Sequence, residues 1–475
     1  MFHRRFPLVQ GHLTESPAAA QVGDSDGTVN LGASALKKVG CRLIPFVAVL
    51  YFAAFIDRVN VGFAAAQMNR DLGFSAYVYG LGAGVFFLGY SLFEIPSNLI
   101  LHKVGGRRWL ARIMITWGLV AAAMALVKGP VSFYVLRFLL GVAEAGFFPG
   151  VIYYLTYWVP AARRARLVGA FMTAIPISTA LGGPLSSMIL RLDGHWGLAG
   201  WQWLYLTETI PSLLLGLVTF KYLPNAPAEA GWLTAAEKEW LTRTLDAENA
   251  CRSVRHRGVI EALTNPRVLA LSLCYFGVEI GLYGVILWVP QILAQAGIAA
   301  AHVGYAVAVP YAVATAAMVW WYRRSDRRKE RVWHIAAAAV CGFAGLSASA
   351  CFTNSPLLAL AAISVGAAGT LAILPIFWTL PAAILRGAAA AGAIALINSL
   401  GNIGGFAGPF VIGWIKQATG SFTWGLLAVA GGVLMSGIIA LLIGHDSAAE
   451  HGISAAAGDA AAFANSAHTP GGGAA

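Results

Sequence analysis

The sequence predicts an all-α membrane protein with twelve transmembrane helices in two six-helix halves. Three observations carry that prediction: a deficit of charge, apolar runs of helix length, and basic residues gathered on one side. The chain has 475 residues, 58% of them hydrophobic and only 11% charged, with a mean hydropathy of +0.69. A soluble domain carries roughly 25% charged residues, so water is not the solvent that this surface is built for. In lipid every backbone N–H and C=O must be satisfied internally, which leaves helices or a closed barrel. The apolar runs are about 20 to 25 residues long, the length of a spanning helix rather than of a barrel strand.

Read in order, the spans fall at 43–67, 77–101, 110–127, 131–155, 165–190 and 201–223, then at 267–294, 303–322, 333–352, 357–381, 389–415 and 422–444. The narrowest gap, Lys128–Pro130, separates the third from the fourth. A polar connection at 224–264 divides six spans from six and holds a capping-box pattern, Thr234 to Glu237, that predicts a short surface helix. The domains expected are therefore a disordered tail over 1–36, a bundle over 37–223, the connector at 224–264, a second bundle over 265–445 and a disordered tail over 446–475. Residues 1–36 have no apolar core, so the first span is expected to serve as an uncleaved anchor.

Charge orients the bundle. With the N-terminus placed in the cytoplasm, 26 of the 32 Lys and Arg residues fall on the cytoplasmic side. Four (Arg70, Lys128, Arg191 and Lys416) fall outside, and Arg58 and Arg137 lie within spans. Both termini are thus expected in the cytoplasm, and the membrane expected is a bacterial inner membrane. The same distribution argues against reading the net charge of +11 as a nucleic-acid footprint, because the charges sit in short loops. The five cysteines form no CxxC pair, and there is no HExxH, no Cys/His cluster and no GxxxxGK[ST]. Neither a metal, a cofactor nor ATP is expected, and an enzyme is disfavoured.

The halves echo each other. Basic loops follow the second and eighth spans, at His102–Arg112 and Arg323–Arg331. Leu181-Gly-Gly-Pro184 in the fifth span answers Gly404-Gly-Phe-Ala-Gly-Pro409 in the eleventh. Internal repeats of this kind belong to secondary transporters, whose site lies between the halves near mid-membrane.

Ionisable groups inside spans are costly and need a reason. The first span holds Asp57, Arg58 and Asn60, and the fourth holds Arg137 and Glu144, seven residues apart on one helix face. At ~1.5 Å per residue, Asp57 lies ~21 Å from the cytoplasmic end and Arg137 ~9 Å below the outer surface, which puts Arg58 and Arg137 at similar depth. An arginine does not shed its proton, so each needs an anion. Fully ionised, Asp57, Arg58, Arg137 and Glu144 sum to zero. A proton on Asp57 or Glu144 would free an arginine for a substrate carboxylate, which its fork matches better than a lysine would. The competing reading is a fixed salt-bridge network that only orients helices. Glu94, beside Pro96 and Asn98, is expected to serve structure or gating. For Glu208 and Glu279, pore lining and interhelical hydrogen bonding both remain open, and Trp378 and Asn398 could face the cavity or not. Gly146–Gly150 and Gly401–Gly405 read as small-residue packing faces.

Several of these strings resemble the anion:cation symporter family of the major facilitator superfamily. They are Asp57-Arg-Val-Asn-Val-Gly-Phe-Ala64, Gly89-Tyr-Ser-Leu-Phe-Glu-Ile-Pro-Ser-Asn98, Val104-Gly-Gly-Arg-Arg-Trp109 and the stretch from Leu136 through Arg137 and Glu144 to Gly150. The likeness covers roughly 37–445 and is similar to that of bacterial permeases for tartrate, phthalate and 4-hydroxyphenylacetate. The resemblance implies a major-facilitator fold and proton-driven uptake of a carboxylate, expected to be a mono- or dicarboxylate; a monomer is expected separately. It implies that Arg58 and Arg137 hold the anion, that Asp57 and Glu144 carry the proton, and that Tyr90 and Asn398 line the pocket. Arg107, Arg108, Asp326 and Arg327 belong to the two copies of the gating loop. Two departures stand out. The first loop reads Leu101-His102-Lys103 where relatives carry an Asp, so the acidic member survives only as Asp326. Phe55 stands where many relatives carry a Tyr. An organic-anion exchanger, an efflux carrier or a non-transporting sensor would share most of this pattern.

Overall fold

The computed structural model describes residues 25–160, 171–250, 265–384 and 388–444, helical throughout their regular parts and without a strand among them. The expected tails over 1–24 and 445–475, the connector's 251–264, the basic cluster Arg163, Arg164 and Arg166, and Arg386 lie outside the described residues.

The first helix, α1 (Ser25–Leu72), is 48 residues long. It begins inside the segment expected to be a disordered tail. The reason is a contact invisible in the local sequence. The extension lies against α8 (Ala235–Ala250) of the connector. Ser34 Oγ and Lys38 Nζ donate to Glu237 at 2.7 and 2.8 Å, and a Cβ on Gly32 would stand 2.5 Å from the Trp240 ring. Glu237 also closes the capping box: it accepts from the Thr234 N–H at 2.9 Å, and its own N–H donates to Thr234 Oγ1 at 3.3 Å. Lys38, and then the Thr234 N–H, hold its carboxyl down to about 2.

The first half continues with α2 (Ala76–Val104), α3 (Gly106–Ala123) and α4 (Pro130–Glu144). The fourth span, expected over 131–155, crosses as Pro130–Thr156, with an irregular turn after Glu144 from which α5 (Phe147–Thr156) restarts at Gly146, whose φ is 81°. Pro149 sits in the first turn of α5, where a missing N–H costs nothing. A Cβ at Gly146 would meet Ser97 Oγ at 2.5 Å. α6 (Ala174–Leu190) and α7 (Gly200–Tyr222) complete the half. The start of the expected fifth span, 165–170, lies outside the described residues.

The second half comprises α9 (Pro266–Gln295), α10 (Ala300–Arg328), α11 (Val332–Cys351), α12 (Pro356–Phe377), the short α13 (Thr379–Ile384), α14 (Ala388–Thr419) and α15 (Thr423–Ile443). The tenth span, expected over 357–381, crosses as Pro356–Pro381, with a turn at Trp378 between α12 and α13. Among the described residues eleven helical stretches are long and apolar enough to cross a membrane; α6 is apolar but shorter. Large apolar side chains on the outside, such as Leu99, Leu357 and Leu442, are 63 to 79% exposed, as suits a lipid surface.

The halves meet along α2 and α14, α6 and α10, and α1 and α9. At the end where α1 turns into α2 they touch backbone to backbone. A Cβ on Gly304 (α10) would lie 2.0 Å from the Gly183 carbonyl (α6), and one on Gly80 (α2) 2.7 Å from the Pro409 carbonyl (α14). Tyr79 O–H donates across the same junction to the Leu287 carbonyl at 2.6 Å. Small residues allow this approach, since any side chain would hold the helices apart.

Candidate functional site

Asp57 and Arg58 are neighbours on α1, about 100° apart around the helix. They therefore face different surroundings, and the four charges grouped on the sequence separate into three settings.

Arg58 points to the centre, between the halves. Its Nε donates to Glu144 Oε1 at 3.1 Å, and its Nη2 makes a second short bond to the same oxygen. Its Nη1 donates to the Tyr283 hydroxyl of α9 at 2.8 Å, so one guanidinium ties α1, α4 and the opposite half together. Phe55, Phe86 and Tyr90 place their rings 5.3 to 5.8 Å from it. The hydroxyl absent at Phe55 has a counterpart one turn earlier in Tyr51, which lines the same cavity.

Arg137 is buried on the far side of Phe86, whose ring lies 5.0 Å from its guanidinium carbon. It does not pair with a carboxylate among the described residues. Its Nε and Nη2 donate instead to the carbonyls of Gly82 and Ala83 in α2, at 3.2 and 3.0 Å. α4 reaches that backbone because Gly141 and Gly89 let the helices close; a Cβ on Gly141 would lie 2.0 Å from the Phe86 carbonyl.

Asp57 faces the interior of the first half. Its Oδ2 accepts from Trp117 Nε1 at 2.8 Å and from Ser212 Oγ, which fastens α1 to α3 and α7. Glu208, which accepts from Ser186 Oγ at 2.7 Å, is close enough to sense the charge on Asp57. Both are buried.

The central cavity is small, about 30 Å³, room for one or two waters. Its wall holds Arg58 and Tyr90 from the first half and Tyr275, Glu279, Tyr283, Asn398 and Asn402 from the second. Glu94 of α2 bridges to α14, accepting from Asn398, from Asn402 at 3.3 Å and from Ser399 at 3.4 Å. Trp378 packs its ring 5.0 Å from Tyr275, behind the cavity wall. Arg107 pairs with Glu229 of the connector at 3.7 Å, and its N–H donates to Asn225. Arg108 is near enough to Glu229 to act on its charge. In the second copy Asp326 pairs with Arg331 at 2.8 Å, while Arg327 stands exposed at the end of α10.

Tyr51, Tyr283 and Asn402 escaped the sequence reading. A signal for part of the set was present: Tyr275, Glu279 and Tyr283 recur every fourth residue on an otherwise apolar helix and so share one face. Among the described residues no three His, Cys, Asp or Glu side chains gather as a metal site. Chemically the centre offers one arginine whose carboxylate partner, on accepting a proton, would release it to another anion.

Two six-helix halves around a charged central cavity define a multi-pass membrane transporter. The model of the Major Facilitator Superfamily matches residues 47–409, and the chain belongs to that superfamily; its relatives are consistent with the anion:cation symporter type within it. It is 52% identical over 424 residues to a "Putative tartrate transporter" of Agrobacterium vitis, covering 89% of this chain and 94% of the relative. It is 44% identical over 393 residues to a "Quinolone resistance transporter" of Acinetobacter baumannii, covering 82% and 90%. The crystal structure of a D-xylose-proton symporter shares the fold, with a TM-score of 0.68 at 15% identity over 86% of this chain and 98% of that one. The chain is a transporter and not an enzyme.

Proposed function

We propose that this transporter carries a small organic anion, a carboxylate such as tartrate, into the cell together with protons by alternating access. The observation that carries the reading is the Arg58–Glu144 pair at the cavity wall, reached from the other half by Tyr283. A proton on Glu144 removes the arginine's partner, and a substrate carboxylate then takes its place on the guanidinium fork. Loss of the proton restores the pair and expels the anion. Arg137, held by α2 carbonyls, supplies positive potential behind Phe86, and Asp57 orients α1 from within the first half. Tyr90 and Asn398 complete the pocket. The cavity volume supports a state closed around the centre, so a substrate enters only when the halves part.

The orientation proposed has both termini in the cytoplasm of a bacterial inner membrane, supported by the 26 of 32 basic residues on that side. The Glu94 bridge and the Arg107–Glu229 and Asp326–Arg331 pairs then lie toward the cytoplasm and serve as gating contacts. A second reading, efflux, draws on the relative named for quinolone resistance; the same pair would run with protons entering as the solute leaves.

Proteoliposomes with an imposed inward proton gradient test both. Labelled tartrate, phthalate, 4-hydroxyphenylacetate and sugar acids are screened, with Glu144→Gln and Arg58→Ala as controls. Gradient-driven uptake of one anion, lost in both variants, supports symport. Uptake indifferent to the gradient, or surviving both substitutions, refutes it. Uptake driven only when the proton gradient is reversed to point outward, so that protons leave as the solute enters, supports proton-coupled efflux.

A further inference from the structure

Glu279 is the one cavity-wall carboxylate in the second half among the described residues, and the charge exchange at Arg58 leaves it unused. It is 2% exposed, and its Oε2 has no hydrogen-bond partner among the described residues. Its stem is fixed: a Cβ on Gly404 of α14 would lie 3.1 Å from the Glu279 Cβ. It therefore has little freedom to leave the cavity.

The charged and titratable groups around it can be counted by element. Its own helix places Tyr275 one turn before it and Tyr283 one turn after it on the same face. α1 contributes Tyr51 and Arg58, α2 contributes Tyr90 and Glu94, and α4 contributes Glu144. From α14 come the neutral Asn398 and Asn402, and from α12 the apolar Leu374. Arg58 is the single cation in the wall, and Glu144 already occupies it. Glu94 has three neutral donors of its own. An ionised Glu279 has only the Tyr275 hydroxyl beside it as a donor, its Oε2 stays unpartnered among the described residues, and a dicarboxylate seated on Arg58 would face it across the cavity. Like charges in that setting cannot both persist.

We infer that Glu279 is a second proton-binding site, loaded together with a dianionic substrate, so that two protons, one on Glu144 and one on Glu279, accompany each dicarboxylate. The step adds a proton from the outer solution to the Glu279 carboxylate and returns it to the cytoplasmic solution, with no other bond made or broken. The Tyr283 hydroxyl accepts from Arg58 and keeps its own proton to donate to the substrate's carboxylate, which links the two proton sites through one ligand. The inference rests on the symport reading above.

The test is the limiting accumulation of labelled L-tartrate in proteoliposomes with the membrane potential clamped to zero. A one-unit pH gradient is about tenfold in proton concentration, so two coupled protons give a limit of about a hundredfold and one proton about tenfold. Glu279→Gln is expected to lower the ratio about tenfold while tartrate counterflow continues. A wild type that ignores the gradient overturns the symport reading itself. A responsive wild type with an unchanged ratio in Glu279→Gln overturns only this inference. A measurement on the unaltered protein covers a variant that fails to fold. Dicyclohexylcarbodiimide, which attacks protonated buried carboxyls, is expected to label Glu279, detected by mass spectrometry, less as pH rises and less with tartrate present. Labelling absent, or indifferent to both pH and tartrate, overturns it.

Discussion

Gly304→Ala tests whether the backbone contact between α6 and α10 holds one end of the transporter shut. The added methyl would lie 2.0 Å from the Gly183 carbonyl and 2.2 Å from Ser187 Oγ. The serine can turn, although it would lose its bond to the Gly304 N–H at 3.1 Å. The carbonyl belongs to a helix and cannot turn, so the helices must part. Overpacking of this kind costs about 1–3 kcal/mol. That cost falls only on the arrangement in which the two glycines touch, so it shifts the balance toward the arrangement open at that end by about 5- to 150-fold. Spin labels at Arg191 and Ala300, on the exposed ends of the two helices, report the separation in a background without native cysteines. A longer distance population in Gly304→Ala is expected, together with slower net uptake and tighter binding from that side. A distance distribution identical to that of the parent would refute the reasoning, because no rearrangement would then have answered a clash of that depth.

Arg58→Lys keeps the charge but replaces three directed N–H donors with one ammonium; at about 1.5–3 kcal/mol per charged hydrogen bond, tartrate affinity measured by calorimetry is expected to fall at least about tenfold, and near-parental binding would contradict the fork. Trp117→Phe removes one of two donors to the buried Asp57. A loss of about 1–3 kcal/mol is expected as a lower melting temperature in detergent, and an unchanged one would show that the bond is dispensable. Glu237 has its folded value depressed to about 2. Its stabilisation of the α1 extension is therefore present above the ordinary carboxylate range and is lost as pH falls through that range toward 2. Lys38 is 40% exposed, so the pair is worth about 1 kcal/mol at most. Amide exchange over residues 31–40, corrected for the intrinsic pH dependence of exchange, is expected to quicken up to about fivefold in Glu237→Gln at neutral pH, and by no more on acidification of the parent. Faster exchange in neither condition would show that other contacts dock the extension.

Much of the architecture was legible because lipid makes hydrophobic length and basic loops nearly sufficient signals. The capping box at Thr234 and Glu237 was also readable, since a cap is local in the chain. Pro149 marked an irregularity in the fourth span, but the place of the break after Glu144 was not legible, because it is set by the left-handed backbone of Gly146, where the chain packs against Ser97 so closely that a Cβ would not fit. The helical start of α1 was hidden for a similar reason: its partner, Glu237, lies 203 residues from Ser34.

The sequence by itself determined that Arg58, Arg137, Asp57 and Glu144 are buried charges in a spanning bundle, because their neighbours are apolar and an ion in lipid demands a partner. It could not say who pairs with whom. Adjacent residues on a helix point about 100° apart, so Asp57 and Arg58 part company. The close approach of α4 to α2 through glycine gives Arg137 two backbone carbonyls in place of a carboxylate. Only the tertiary structure brings Tyr283 and Glu279 from the other half to the same cavity, because partner choice depends on which faces of distant helices meet.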